Sequence, residues 1–140
     1  MLVKQLCAVL FAVGMVSQAS ARGNDIATQA PLLGMWANVD PETRGVTRLV
    51  ITEEDGRLFV RAYGACFPTD CDWGTVLASM RTDMKTSEKV ACASWDHTFK
   101  DSHFIVRRVR EGLEVTHVGI YKDSSNRAHD VSREVFKRER

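Results

Sequence analysis

The stretch from Arg57 to Gly74, "RLFVRAYGACFPTDCDWG", alternates side-chain character along its first half and then turns between two cysteines. Leu58, Val60, Ala62 and Gly64 share one face, and Arg57, Phe59, Arg61 and Tyr63 share the other. A period of two is the signature of a β-strand, because successive side chains leave a strand on opposite sides. The small residues of the first face suit a crowded interior, although the alternation alone leaves open which face points inward. Pro68 and Asp70 then mark a turn, and Trp73 opens the next strand. The unit reads as a hairpin.

The same period recurs outward in both directions. Strands are expected over Met35–Val39, Thr47–Thr52, Arg57–Cys66, Trp73–Met80, Val90–Trp95, His103–Arg110, Leu113–Tyr121 and His129–Lys137. Between them lie turn-forming stretches such as "DPETRG", "EEDG", "REG" and "YKDSSNR". Only Thr82–Lys89 has the makings of a helical turn. Eight strands with short connections form an antiparallel meander. An open meander would leave two edges exposed, and closing it removes both. The expected fold is therefore all-β: an eight-stranded antiparallel up-and-down barrel, with a β-sandwich as the alternative.

The N-terminus, "MLVKQLCAVLFAVGMVSQASARGND", has Lys4, an apolar run from about Leu6 to Val16, and the small-x-small site Ala19-Ser20-Ala21. That order reads as a secretory signal peptide over 1–21. The run falls short of the ~20 residues of a membrane span. Residues 22–33 read as a flexible leader, and 34–140 as the barrel domain. Removing 21 of 140 residues leaves 119, enough for one domain. Lys4 is the only charge in the signal, so 18 of the 19 basic residues face 18 acidic ones in the mature chain. Such a balance disfavours a nucleic-acid partner. The expected location is periplasmic or secreted.

Export places Cys66 and Cys71 in an oxidising compartment, and a hairpin end brings facing residues within disulfide reach. A disulfide is the preferred reading. A redox pair would more often be spaced Cys-x-x-Cys, and a zinc clip would need two further ligands. Cys92, mid-strand in "VACASW", reads as a small buried hydrophobe, with an intermolecular bridge as the sharper alternative.

The pattern from Trp36 to Arg48, "WANVDPETRGVTR", followed by "CFPTDCDWG" from Cys66 to Gly74, resembles a group of small exported bacterial proteins of unsettled function. The likeness runs on to the closing "HDVSREVFKR". Gly34-Met35-Trp36 is also similar to the Gly-x-Trp that opens lipocalin- and avidin-like barrels. In lipocalins that tryptophan closes the barrel floor beneath an arginine of the last strand. The likeness implies such a role for Trp36 with Arg138 or Arg133, by cation–π contact. It does not extend to the residues with which avidins hold biotin.

Asp96, His97, Asp101 and His103 crowd one expected hairpin, "WDHTFKDSH". They could form a metal or acid–base site, or serve only as turn caps in a solvated loop. Asp96, His97, His103 and Trp73 are accordingly candidate rim residues. His117 and His129 could line a cavity or be hydrogen-bonded structure. No Gly-x-Ser-x-Gly, phosphate loop or HExxH occurs in the sequence. The expected function is a non-enzymatic exported barrel without a cofactor, binding a small apolar ligand in its cavity. The alternative is an inhibitor or interaction protein using rim loops against an envelope protein, and a metal-dependent hydrolase ranks third.

Overall fold

The computed structural model describes residues 29–140. The expected signal peptide, and the expected leader as far as residue 28, lie outside the described residues. Eight strands follow one another: β1 (Gly34–Asn38), β2 (Val46–Glu54), β3 (Arg57–Gly64), β4 (Cys71–Thr82), β5 (Lys89–Asp96), β6 (Lys100–Val109), β7 (Gly112–Tyr121) and β8 (Asp130–Arg138). Each pairs antiparallel with its predecessor, and β8 returns to β1 through Trp36↔Arg138 and Asn38↔Phe136. That last pairing closes an up-and-down barrel and excludes the sandwich.

Burial settles the inner face. Leu58, Val60 and Ala62 are buried on β3, as are Leu113 and Val115 on β7. Trp36, Leu49, Ile51, Phe104, Val106 and Phe136 belong to a core that runs from the floor to Val46 and Trp95 near the mouth. The outer aromatics are covered in another way. Tyr63 lies beneath the guanidinium groups of Arg48 and Arg61, 4.3 and 5.4 Å from its centroid. The cationic planes shield that ring from water.

One local expectation is corrected and another is met. Residues 29–33, read as the end of a flexible leader, are packed against the floor, with a 3-10 turn over Ala30–Leu32. Leu32 is only 2% exposed and belongs to the core. Its carbonyl accepts the Trp36 indole N–H at 2.9 Å. Burying one leucine outweighs the polar character of the residues around it. Thr82–Lys89 is a hairpin connection that holds the single helical turn expected of it, the Ser87 N–H bonding the Asp83 carbonyl at 2.8 Å. The Asp83 N–H bonds the Glu88 carbonyl at 2.8 Å, and Asp83 Oδ1 accepts the Lys85 N–H at 2.8 Å. An aspartate side chain that captures nearby amides competes with any longer helix for them, so the turn goes no further.

Candidate functional site at the barrel mouth

The strand directions place the Ala30–Leu32 turn, the chain end and the connections β2–β3, β4–β5 and β6–β7 at the floor. The connections 39–45, 65–70, 97–99 and 122–129 surround the opposite end, the mouth. Cys66 and Cys71 form a disulfide with Cα atoms 5.4 Å apart, closing the β3–β4 loop. Thr47 Oγ1 donates to Asp70 Oδ2 at 2.6 Å, and the Ala65 N–H bonds the Gly45 carbonyl at 2.8 Å. These bonds tie that loop to its neighbours at its base.

Just inside the disulfide, a register shift separates the pairs Arg61↔Thr75 and Tyr63↔Asp72. Gly74 sits within it at φ 81°, a left-handed conformation that glycine adopts without strain. The irregularity turns Trp73 inward. A Cβ on Gly64 would lie 2.6 Å from the Trp73 Nε1, so only glycine lets the indole settle there. Behind it, Trp95 donates its indole N–H to the Gly74 carbonyl at 3.1 Å. Phe104 lies against Trp95, with ring centroids 4.7 Å apart. His97 approaches Trp73 edge-on at 4.6 Å, and His117 meets Phe104 at 4.9 Å.

Polar groups are set among these rings. Ser102 is 0% exposed and His117 9%. Register pairs Ser102 with Gly119 and Trp95, and His117 with Phe104 and Ser132, so all face the barrel interior. The Ser102 hydroxyl, His117 Nε2 and His97 Nε2 are buried without a hydrogen-bond partner. Buried polar atoms nearly always have partners, and one left without costs about 1–3 kcal/mol. Burial pushes the His117 imidazole down to about 4, with Lys100 next in effect. His97 is lowered for the same first reason, burial. His117 is therefore uncharged near neutrality.

The β8 side of the mouth is wet and polar. Asp130 and Ser132 face inward by register yet are exposed. Lys100 Nζ lies 4.0 Å from Asp130 Oδ2 and 5.3 Å from the Tyr121 centroid. Arg127 covers Tyr121 from 4.0 Å. Deeper, Asn38 donates to Glu134 Oε2 at 2.7 Å, and burial raises the Glu134 carboxyl above its ordinary range. The mouth thus has an aromatic wall on β4–β6 and a polar wall on β7–β8.

The sequence-derived candidates scatter. Of the four Asp and His candidates in "WDHTFKDSH", only His97 joins the mouth cluster, alongside Trp95 and Ser102 of the same stretch. Asp96 is exposed and ion-paired with Lys122 at 2.7 Å, which with the Thr98 N–H holds its carboxyl below the usual range. Asp101 lies 3.0 Å from the same Lys122 Nζ. His103 lies on the outer face, its Nδ1 2.7 Å from Ser94 Oγ. Among the described residues, no group of three or more His, Cys, Asp or Glu side chains converges as a metal set. His129 is exposed. Trp36 lies at the opposite end, with the Arg138 guanidinium 4.2 Å from its ring and bonded to the Leu33 carbonyl at 2.6 Å. Arg108 approaches the same ring at 5.4 Å, while Arg133 turns outward to Glu114 at 3.7 Å. Cys92 is a free, half-buried thiol on the outer face, pushed up by burial and so poorly disposed to ionise.

Sequence reasoning missed Ser102, Trp95 and Phe104. The signal was present in phase: Ser102 and Phe104 are two apart on one strand, and Trp95 closes the strand before it. No family model matches the chain, and no curated protein or solved structure matches it either.

Proposed function

We propose that this chain is an exported, non-enzymatic β-barrel that binds a small ligand in its mouth, between the Trp73–Trp95–Phe104 wall and the β7–β8 wall. One observation carries the reading: Ser102 and His117 hold buried, unpartnered polar atoms beside the aromatic cluster at the mouth. Concave sites of this composition, apolar with a few placed polar groups, are what small ligands occupy. Because the core runs on into Trp95 and Phe104, a ligand would seat at the mouth against Trp73 rather than deep in the barrel. Export is supported by the disulfide, a bond that persists in oxidising compartments. The resemblance to small exported bacterial proteins belongs with this proposal.

Native mass spectrometry on protein taken from its own host is the direct test. A co-purified small mass on the wild type, lost from Trp73→Ala, is the expected result. A bare wild-type mass, together with an unmoved Trp73 indole signal in host extract, would sink the reading.

A second reading rests on a different feature. Phe67 is 97% exposed at the tip of the disulfide-closed loop. An aromatic side chain on a preorganised loop is the kind of anchor that dominates protein interfaces. Under this reading the barrel is an interaction protein or inhibitor that inserts Phe67 into an apolar pocket of an envelope protein. Phe67→Ala should then abolish capture of that partner while leaving the mouth signals unchanged.

A further inference from the structure

We infer that the mouth site takes an uncharged planar ring with a hydrogen-bonding edge, of the amide or lactam type, inserted edge-first toward Ser102 and His117. This rests on the mouth being a ligand site, and it narrows the chemistry from apolar ligands at large to one class.

Three observations lead there. The inner wall is built of flat rings, and Trp73 offers an edge-to-face neighbour to His97, Trp95 and His117 with centroids 4.6 to 6.0 Å apart. A planar ligand fits among them better than a branched one, since rings prefer offset or edge-on contact. Next, the inner end asks for hydrogen bonds. A serine hydroxyl donates and accepts, and an uncharged imidazole nitrogen does one or the other. A hydrocarbon ligand would leave both atoms as orphaned as they are now. An edge carrying a donor beside an acceptor satisfies them together.

Charge decides the last point. The charged groups facing His117 sit toward the rim, where Lys100 and Asp130 face each other at 4.0 Å. Glu134, the other inward acid on β8, is held by Asn38. His97 and His117 are both driven toward their uncharged forms by burial, while His103 lies outside the barrel. A carboxylate or ammonium at Ser102 would therefore be stripped of water with no free counter-charge beside it, a costly transfer. Charge on a ligand belongs at its outer end.

A matched series of probes tests this on the mature protein: benzamide, toluene, benzoate and benzylamine, titrated at pH 7.5 while the Trp73 indole N–H is followed by NMR. Benzamide should bind about tenfold more tightly than toluene, with both ions weaker than benzamide. Ser102→Ala and His117→Phe should each bring benzamide close to toluene. Should the variants fail to fold, N,N-dimethylbenzamide on wild-type protein removes the donors instead and should lose the same advantage. Toluene equal to benzamide, or benzoate or benzylamine ahead of it, overturns the polar-edge inference and leaves the mouth reading intact. Trp73 unmoved by all four probes overturns the mouth reading itself.

Discussion

The two ends of the barrel use similar materials to opposite effect. At the floor, Trp36 is buried beneath Arg138, and its indole N–H is bonded to Leu32. Arg138 in turn donates to the Leu33 carbonyl. At the mouth, Trp73 is only half-buried, and Ser102, His97 and His117 each hold a polar atom with nothing to bond. Both ends belong to one sheet with one alternation of faces. The difference lies in polar satisfaction around the rings: the bonds about Trp36 are made and Gln29 Oε1 stands unpartnered at the floor, whereas three such atoms gather at the mouth, an incomplete set held ready for something else.

Removing the floor should therefore hurt most. Trp36→Ala leaves a large cavity among buried neighbours and should cost about 3–5 kcal/mol in denaturant-derived stability. Trp73→Ala, removing a half-exposed ring, should cost less than half of that. If the two losses are equal, the mouth is as much a part of the core as the floor, and the contrast between them fails.

Acid offers the next handle. The His117 imidazole lies near its ordinary 6.5 when unfolded and at about 4 when folded. Above pH 6.5 both states are uncharged, and the stability is complete. As pH falls toward 4, the unfolded chain takes up the proton first, and about 3 kcal/mol is lost. Glu134 works in the opposite direction: its raised carboxyl lets the folded state protonate first, so its contribution grows as pH falls below the raised value. Thermal melts of wild type and His117→Gln across pH 7 to 4 should differ in slope, with the variant flatter. Parallel slopes would mean that His117 is not buried as uncharged imidazole.

The disulfide ranks below these. It closes a loop of only a few residues, so Cys66→Ser with Cys71→Ser should cost about 2 kcal/mol by chain entropy. The larger consequence should be at the mouth, where the closed loop leads directly into Trp73. A variant with an unchanged Trp73 environment would show that the bulge, and not the bridge, positions the ring.

That bulge also marks how far the sequence could be read. All eight strands were legible, because a closed barrel gives every strand one buried and one solvated face, and clear turn residues separate them. The inner face was not, since Phe59 and Tyr63 lie on the outer one, where arginines cover Tyr63. Counting inward by twos from Val76 skips Trp73, and only the extra residue at the irregularity turns it inside. Disulfide partners five positions apart were readable from turn geometry. The packed turn at Gln29–Leu33 was hidden by its polar neighbours. The site was legible in part, through Trp73, His97 and His117; Trp95, Ser102 and Phe104 were missed because attention went to the Asp and His residues of their stretch and not to the phase of the strands around them.

The smallest effect is the most telling one. Ser102→Ala removes a hydroxyl that is fully buried and unpartnered. At the floor, deleting a polar group breaks a bond, and Arg138→Ala should cost about 1 kcal/mol. At Ser102 there is no internal bond to break, and the penalty of burying the hydroxyl disappears with it. Stability should stay level or rise by up to about 1 kcal/mol. Affinity for a hydrogen-bonding ligand should fall in the same variant. A gain in stability joined to a loss of binding is the mark of a group kept for function against the interest of the fold. A clear loss of stability would instead mean that Ser102 has a partner within the folded chain, and the mouth would then resemble the floor.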